Sequence, residues 1–171
     1  MTAPEAAAPG TTARGPDGRS AGVGLAGIRR VIPHRFPVLL VDRVSEVDPG
    51  SSIVTLKAVS GREPCYADPD VEDAYPLGLL VESWAQSAVL LTRWDHPNPD
   101  VRADKVELIS GIRDVVVHGD VLPGDVVEHH VRLVREVADA AILAGHSLVG
   151  GRKVLEVGSF TMARRRAEEL A

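Results

Sequence analysis

The sequence predicts an α+β domain in which a strongly curved antiparallel sheet wraps around one buried helix. Two β-branched runs precede a single long apolar stretch, Pro76 to Trp94, that lacks two-residue alternation, and Val-rich runs separated by short turn signals follow it. The first two runs, Val38 to Val47 and Ser52 to Ser60, flank Asp48-Pro49-Gly50, which predicts a hairpin. Pro76 suits a first helical position, and a helix that is apolar nearly all round is buried on most sides. After it come Lys105 to Val117, Asp125 to Ala138, Ala140 to Val149 and Lys153 to Met162. Pro123-Gly124, a break near Asp139 and Gly150-Gly151 separate them, so an antiparallel meander is expected. Such an open sheet leaves an exposed edge, which a second copy pairing edge to edge would cover.

Composition narrows the function classes. The 171 residues are 44% hydrophobic and 25% charged with one Cys, a soluble globular balance that excludes an internal disulfide framework. Residues 1–24 are mostly Ala, Gly, Pro and Thr, which predicts a disordered tail; residues 25–168 form the expected domain. No secretory or transit pattern precedes it, so cytoplasmic residence is expected. The stretch Leu77 to Leu91 is interrupted by Glu82, Ser83, Gln86 and Ser87 and is too short for a bilayer, so no membrane span is expected. A net charge of −5 gives no general attraction for nucleic acid or an anionic membrane.

Four segments then carry a family resemblance. Ile32-Pro33-His34-Arg35-Phe36-Pro37 with Leu39-Leu40-Val41-Asp42-Arg43-Val44 resembles the amino-terminal signature of the 3-hydroxyacyl-[acyl carrier protein] dehydratases of type II fatty acid and polyketide synthesis, which have the hotdog fold. Glu63-Pro64 with Pro76, Leu79, Glu82, Ala85 and Gln86 resembles the family's central loop and helix; Ser110-Gly111-Ile112 and Pro123-Gly124-Asp125 continue the match. The resemblance covers about Ile28 to Arg164 and implies a dimeric hotdog protein without a cofactor or metal, its substrate carried on phosphopantetheine by acyl carrier protein or coenzyme A.

The departures are as informative. Where the family has Gly-His-Phe-Pro, with one half of the catalytic dyad, this chain has Cys65 to Tyr75, one residue short and without any His. The helix opens with Pro76-Leu77-Gly78 in place of Pro-Gly. After Gly111 the family's basic and aromatic cluster is replaced by Asp114 to Gly119, so the family's carrier-docking patch is largely gone.

Dehydration needs a base for the α-proton, an acid for the departing hydroxyl and donors for the thioester oxygen. The resemblance places Glu82 at the acid position. Lying among Leu79, Leu80, Trp84 and Ala85, it is expected to be desolvated, with a raised pKa. Gln86, four residues on, shares its helical face and can hold the carboxyl. Leu77 and Gly78, at the helix start, are candidate orienting residues through unpaired N–H groups over Pro76 to Leu79. Asp68 occupies the degenerate loop, where an exposed carboxylate near an ordinary pKa of about 4 is a poor substitute base.

Other polar residues have more ordinary readings. His34 is expected to order its own segment. His129 and His130 are adjacent in a strand and therefore face opposite sides. His96 and His146 lack partners at metal-ligand spacing, and His118 is expected at the tunnel rim. Cys65 sits among acids that raise a thiol pKa, so it is expected to be structural. Arg164 to Arg166, expected beyond the last strand, could meet an acidic carrier or a phosphate.

In the family each site resembles a tunnel at the dimer interface that takes its histidine from one chain and its acid from the other. The resemblance therefore implies that a chain with the acid but not the histidine completes one site in a heterodimer with a His-bearing hotdog subunit and none in a homodimer. A hotdog thioesterase using Glu82 alone and a non-catalytic acyl-chain binder or scaffold are the alternatives.

Overall fold

The computed structural model describes residues 20–68, 73–100 and 105–166. Seven strands form one antiparallel sheet in the order β1-β2-β3-β5-β6-β7-β4, from β1 (Ser20–Gly24), β2 (Arg43–Asp48), β3 (Ser52–Ala58), β4 (Lys105–Val117), β5 (Val126–Val137), β6 (Ala140–Val149) and β7 (Arg152–Arg166). A short helix α1 (Leu25–Val31) follows β1, a 3-10 turn spans Pro64–Tyr66, and the long helix α2 (Leu77–Arg93) packs against the sheet. This is the expected α+β hotdog architecture.

Several boundaries differ for physical reasons. Residues 20–24, which the sequence placed in the tail, pair with β2 from Ser20↔Val47 to Gly24↔Arg43. Backbone pairing and the burial of Val23 in the core order a segment that otherwise consists of Ser, Ala and Gly. The rest of the expected tail, residues 1–19, lies outside the described residues, as do residues 167–168 at the expected end of the domain. Val38 to Asp42 is not strand: Val38 N–H and Leu39 N–H both donate to Arg35 C=O at 2.9 and 3.0 Å, which curls the chain before β2 begins. Pro76 is the N-cap of α2 rather than its first residue.

The meander holds only for β5-β6-β7. β4 pairs with β7, from Lys105↔Arg166 to Val117↔Leu155, because α2 and its connection deliver the chain to the far edge of the sheet. β7 runs on to Arg166, so Arg164 to Arg166 belong to a strand; Arg164 is paired with Glu136 and approaches Glu107 at 3.9 Å.

The concave face of the sheet buries α2. Trp84 is fully buried and meets Phe160 edge-on, with ring centroids 5.4 Å apart. Gly145 permits this approach: a Cβ there would lie 1.9 Å from His130 C=O and 3.2 Å from the Trp84 ring. Beneath the helix runs a satisfied polar chain. Thr55 Oγ1 and Ser87 Oγ share a 2.6 Å hydrogen bond, Ser87 Oγ donates to Ser83 C=O, and His129 bridges Ser83 Oγ at 2.9 Å and Ser147 Oγ at 2.8 Å. His130 faces the other side, stacked on His146, as the strand alternation requires.

Candidate active site

The site is built on the face of α2 that carries Glu82, Ala85, Gln86 and Val89, residues three and four apart. They line a pocket of about 210 Å³ with Pro33 and His34 from the segment after α1, Asn98 after α2, Val106, Glu107 and Ile109 from β4, and Met162 from β7. Gln86 holds this arrangement together. Only 1% exposed, it accepts from Leu40 N–H at 2.9 Å through Oε1, while Nε2 donates to Val38 C=O at 2.7 Å and to Glu82 Oε1 at 2.8 Å. The residue expected to hold the acid therefore also anchors the signature segment to the helix.

Glu82 is more open than the sequence implied. Its side chain keeps 38% exposure, so this chain alone does not provide the expected desolvation. His34 Nε2 stands 3.8 Å from Glu82 Oε1, and His34 Nδ1 is buried without a hydrogen-bond partner among the described residues. Burial, chiefly, lowers the His34 pKa; the Glu82 charge acts against this and Arg35 adds to it. Sequence reasoning gave His34 an ordering role only. Its place in the pocket beside the helix carboxylate needed the fold of the 33–40 segment to become visible.

The other expected site residues are not drawn into this pocket. Leu77 and Gly78 open α2 at the surface, outside the pocket lining. The N–H groups of Leu79 and Leu80 already donate to Pro76 C=O at 2.9 and 3.0 Å, so the donors left at the helix start are those of Leu77 and Gly78. Asp68 is exposed and likewise absent from the pocket lining, and most of the degenerate loop, residues 69–72, lies outside the described residues.

The loop's flanks are firmly tied. Lys57 Nζ donates to Glu63 Oε1 at 2.7 Å, Tyr75 OH donates to Glu63 Oε2 at 3.2 Å, and Tyr75 N–H donates to Val121 C=O at 2.7 Å. Burial and then the Glu63 charge push the Cys65 thiol up, a setting that opposes nucleophilic use, though the responsible acid is Glu63 rather than the loop carboxylates. His118 sits outside the pocket at 3.4 Å from Glu156. At the opposite end of the helix face, buried Arg93 is ion-paired with Glu107. No group of three or more His, Cys, Asp or Glu that could hold a metal occurs among the described residues.

Comparison with known proteins bears on the family and the fold. No family model matches the chain. It is 33% identical over 144 residues to a 3-hydroxyacyl-[acyl-carrier-protein] dehydratase FabZ from Anaeromyxobacter sp. (strain Fw109-5), spanning 83% of this chain and 90% of that protein. It is 36% identical over 131 residues to the FabZ of Solibacter usitatus, spanning 75% and 78%. Among solved structures, the dehydratase heterocomplex ApeI:P from Xenorhabdus doucetiae has a TM-score of 0.68 at 16% identity, covering 84% of this chain and 93% of that one. The E. coli PaaI protein of the phenylacetic acid degradation operon has a TM-score of 0.55 at 9% identity, covering 71% and 81%. At these identities the structural likeness speaks for the fold.

Proposed function

Since this chain belongs to the 3-hydroxyacyl-[acyl-carrier-protein] dehydratase FabZ family, we propose that it is the carboxyl-bearing component of a hotdog dehydratase of fatty acid or polyketide synthesis, working beside a second hotdog chain that supplies the histidine. The observation that carries this reading is Glu82, held by Gln86 at the rim of a pocket in a chain whose corresponding loop has no imidazole.

The chemistry divides between the two chains. The partner's imidazole removes the proton from C2 of the 3-hydroxyacyl thioester, and the electron pair forms the C2–C3 double bond. The C3–O bond breaks, and Glu82 donates a proton to the departing hydroxyl, giving water and a 2-enoyl thioester. The open flank of Glu82 is where a partner would remove it from water, which suits a general acid. A FabZ-type partner fits the exposed β4 edge, where Ile109, Val116 and Val117 remain uncovered at the end of the sheet. The substrate would arrive on the phosphopantetheine of acyl carrier protein or coenzyme A, with no cofactor. The setting would be cytoplasmic, and no helix among the described residues is long and apolar enough to cross a membrane.

The test is co-purification with a hotdog chain that keeps Gly-His-Phe-Pro, followed by turnover of a 3-hydroxyacyl carrier-protein substrate. The pair should dehydrate it and this chain alone should not. Robust dehydration by the isolated chain overturns the division of labour, and hydrolysis to free acid points to a thioesterase.

A further inference from the structure

The Glu82 carboxyl is not symmetric in its surroundings. Oε1 takes the Gln86 amide at 2.8 Å and faces His34 Nε2 at 3.8 Å, whereas Oε2 has no partner among the described residues. His34 reaches this position because the chain turns at Arg35, whose guanidinium donates to Ile32 and His34 C=O at 2.8 and 2.7 Å and to Arg29 C=O at 2.9 Å. These bonds fasten the segment to the end of α1, where Pro33 and His34 both line the pocket.

We propose that His34 is a positioning residue held as the Nε2–H tautomer, which presents a second N–H to Glu82 Oε1 and thereby makes Oε2 the oxygen that meets substrate. This rests on the reading of Glu82 as the reacting carboxyl. The tautomer follows from the two ring nitrogens. A hydrogen on Nδ1 would be buried with nothing to accept it, and the Nε2 lone pair would then face a carboxylate. A hydrogen on Nε2 removes the repulsion and leaves at Nδ1 an unpaired acceptor in place of a stranded N–H. At 3.8 Å the contact is longer than a hydrogen bond, and a closure of about 0.8 Å on substrate or partner binding would make it one.

Two consequences follow for the chemistry. With both N–H donors on Oε1, that atom behaves as the carbonyl oxygen of a protonated Glu82, and the transferable proton resides on Oε2. His34 also offers no lone pair to the pocket, since Nε2 carries hydrogen and Nδ1 is turned into the protein. It therefore cannot replace the imidazole that the loop lacks. The charged or titratable groups facing it are Glu82 from α2, Arg35 from its own segment and Glu107 across the pocket from β4.

Imidazole nitrogen NMR on the full-length, substrate-free protein tests this without any turnover, so a failed dehydration assay leaves the measurement standing. The His34 signals should report the Nε2–H tautomer at neutral pH. In Glu82→Gln the His34 titration should move to lower pH, because a charge that favours the imidazolium has been removed, whereas Glu156→Gln on the outer face should leave it in place. An Nδ1–H tautomer, or a His34 titration indifferent to Glu82→Gln, overturns the proposal.

Discussion

Replacing Gln86 with Leu separates what holds the site in place from what reacts in it. The volume is nearly conserved, so the cavity penalty of a truncation is avoided and the loss is polar. Three hydrogen bonds disappear, and they are not equivalent. Val38 is 57% exposed, so its carbonyl can recover a water, and Glu82 is open enough to do the same. Leu40 is 7% exposed, and its N–H would be stranded against the new side chain. A buried unsatisfied donor costs about 1–3 kcal/mol, so a loss of about 2 kcal/mol is expected. Urea unfolding should show a midpoint lower by about 1 M with an unchanged m value. A loss below about 0.5 kcal/mol would mean that Gln86 does not anchor the 38–40 segment. Gln86→Glu provides the contrast: it retains an acceptor for Leu40 but places a second carboxylate against Glu82, so it should harm turnover of the assembled enzyme more than stability.

Glu82→Gln keeps the shape and the Gln86 contact but has no proton to give, so turnover by the assembled pair should fall by about 10²–10⁴, and a variant retaining most of its activity would make Glu82 a structural residue. Stability should fall as pH drops below about 6.5, because burial holds the His129 pKa down at about 3 and only the unfolded chain takes up that proton. The expected slope approaches 1.4 kcal/mol per pH unit between these values; His129→Gln should flatten it, and a flat profile in the original protein would refute the buried neutral imidazole. Gly145→Ala forces a Cβ onto His130 C=O, where backbone cannot yield, so thermal unfolding should show a loss of about 1–3 kcal/mol or no folded product; unchanged stability would refute the close approach.

The helix and β4 to β6 were legible because each carries a periodic or β-branched run ended by turn residues, and their limits agree with the sequence to within a residue or two. β1 and α1 were not, since a five-residue strand that sets one core residue, Val23, among Ser, Ala and Gly gives no apolar or β-branched run to read. The position of β4 beside β7 was hidden for a related reason: local turns specify hairpins, whereas a crossover depends on where α2 delivers the chain. Glu82 and Gln86 were legible from helical spacing together with the family resemblance, and their 2.8 Å contact agrees. The pocket placement of His34 was not legible because it depends on contacts made by a segment without regular secondary structure, and Glu107 drew no reading because its partner, Arg93, lies on another element.

The surroundings of the altered loop bear on why a chain without the histidine would keep the rest of the site. Lys57, Glu63 and Tyr75 form a compact cluster at the loop's base, with the Lys57 ammonium also 5.7 Å above the Tyr75 ring. Among the loop's own residues, Tyr66 OH donates to Asp73 C=O at 3.2 Å. Burying an ammonium and a carboxylate together is costly unless their contacts are well formed, and breaking such a pair is worse than never having it. These bonds fix the two flanks of the loop beside the start of α2, and in a two-chain site those flanks would border the half that supplies the imidazole. The tied flanks of the loop and the open carboxyl thus fit one account, in which this protomer keeps one acid and the frame around it while the base comes from the partner.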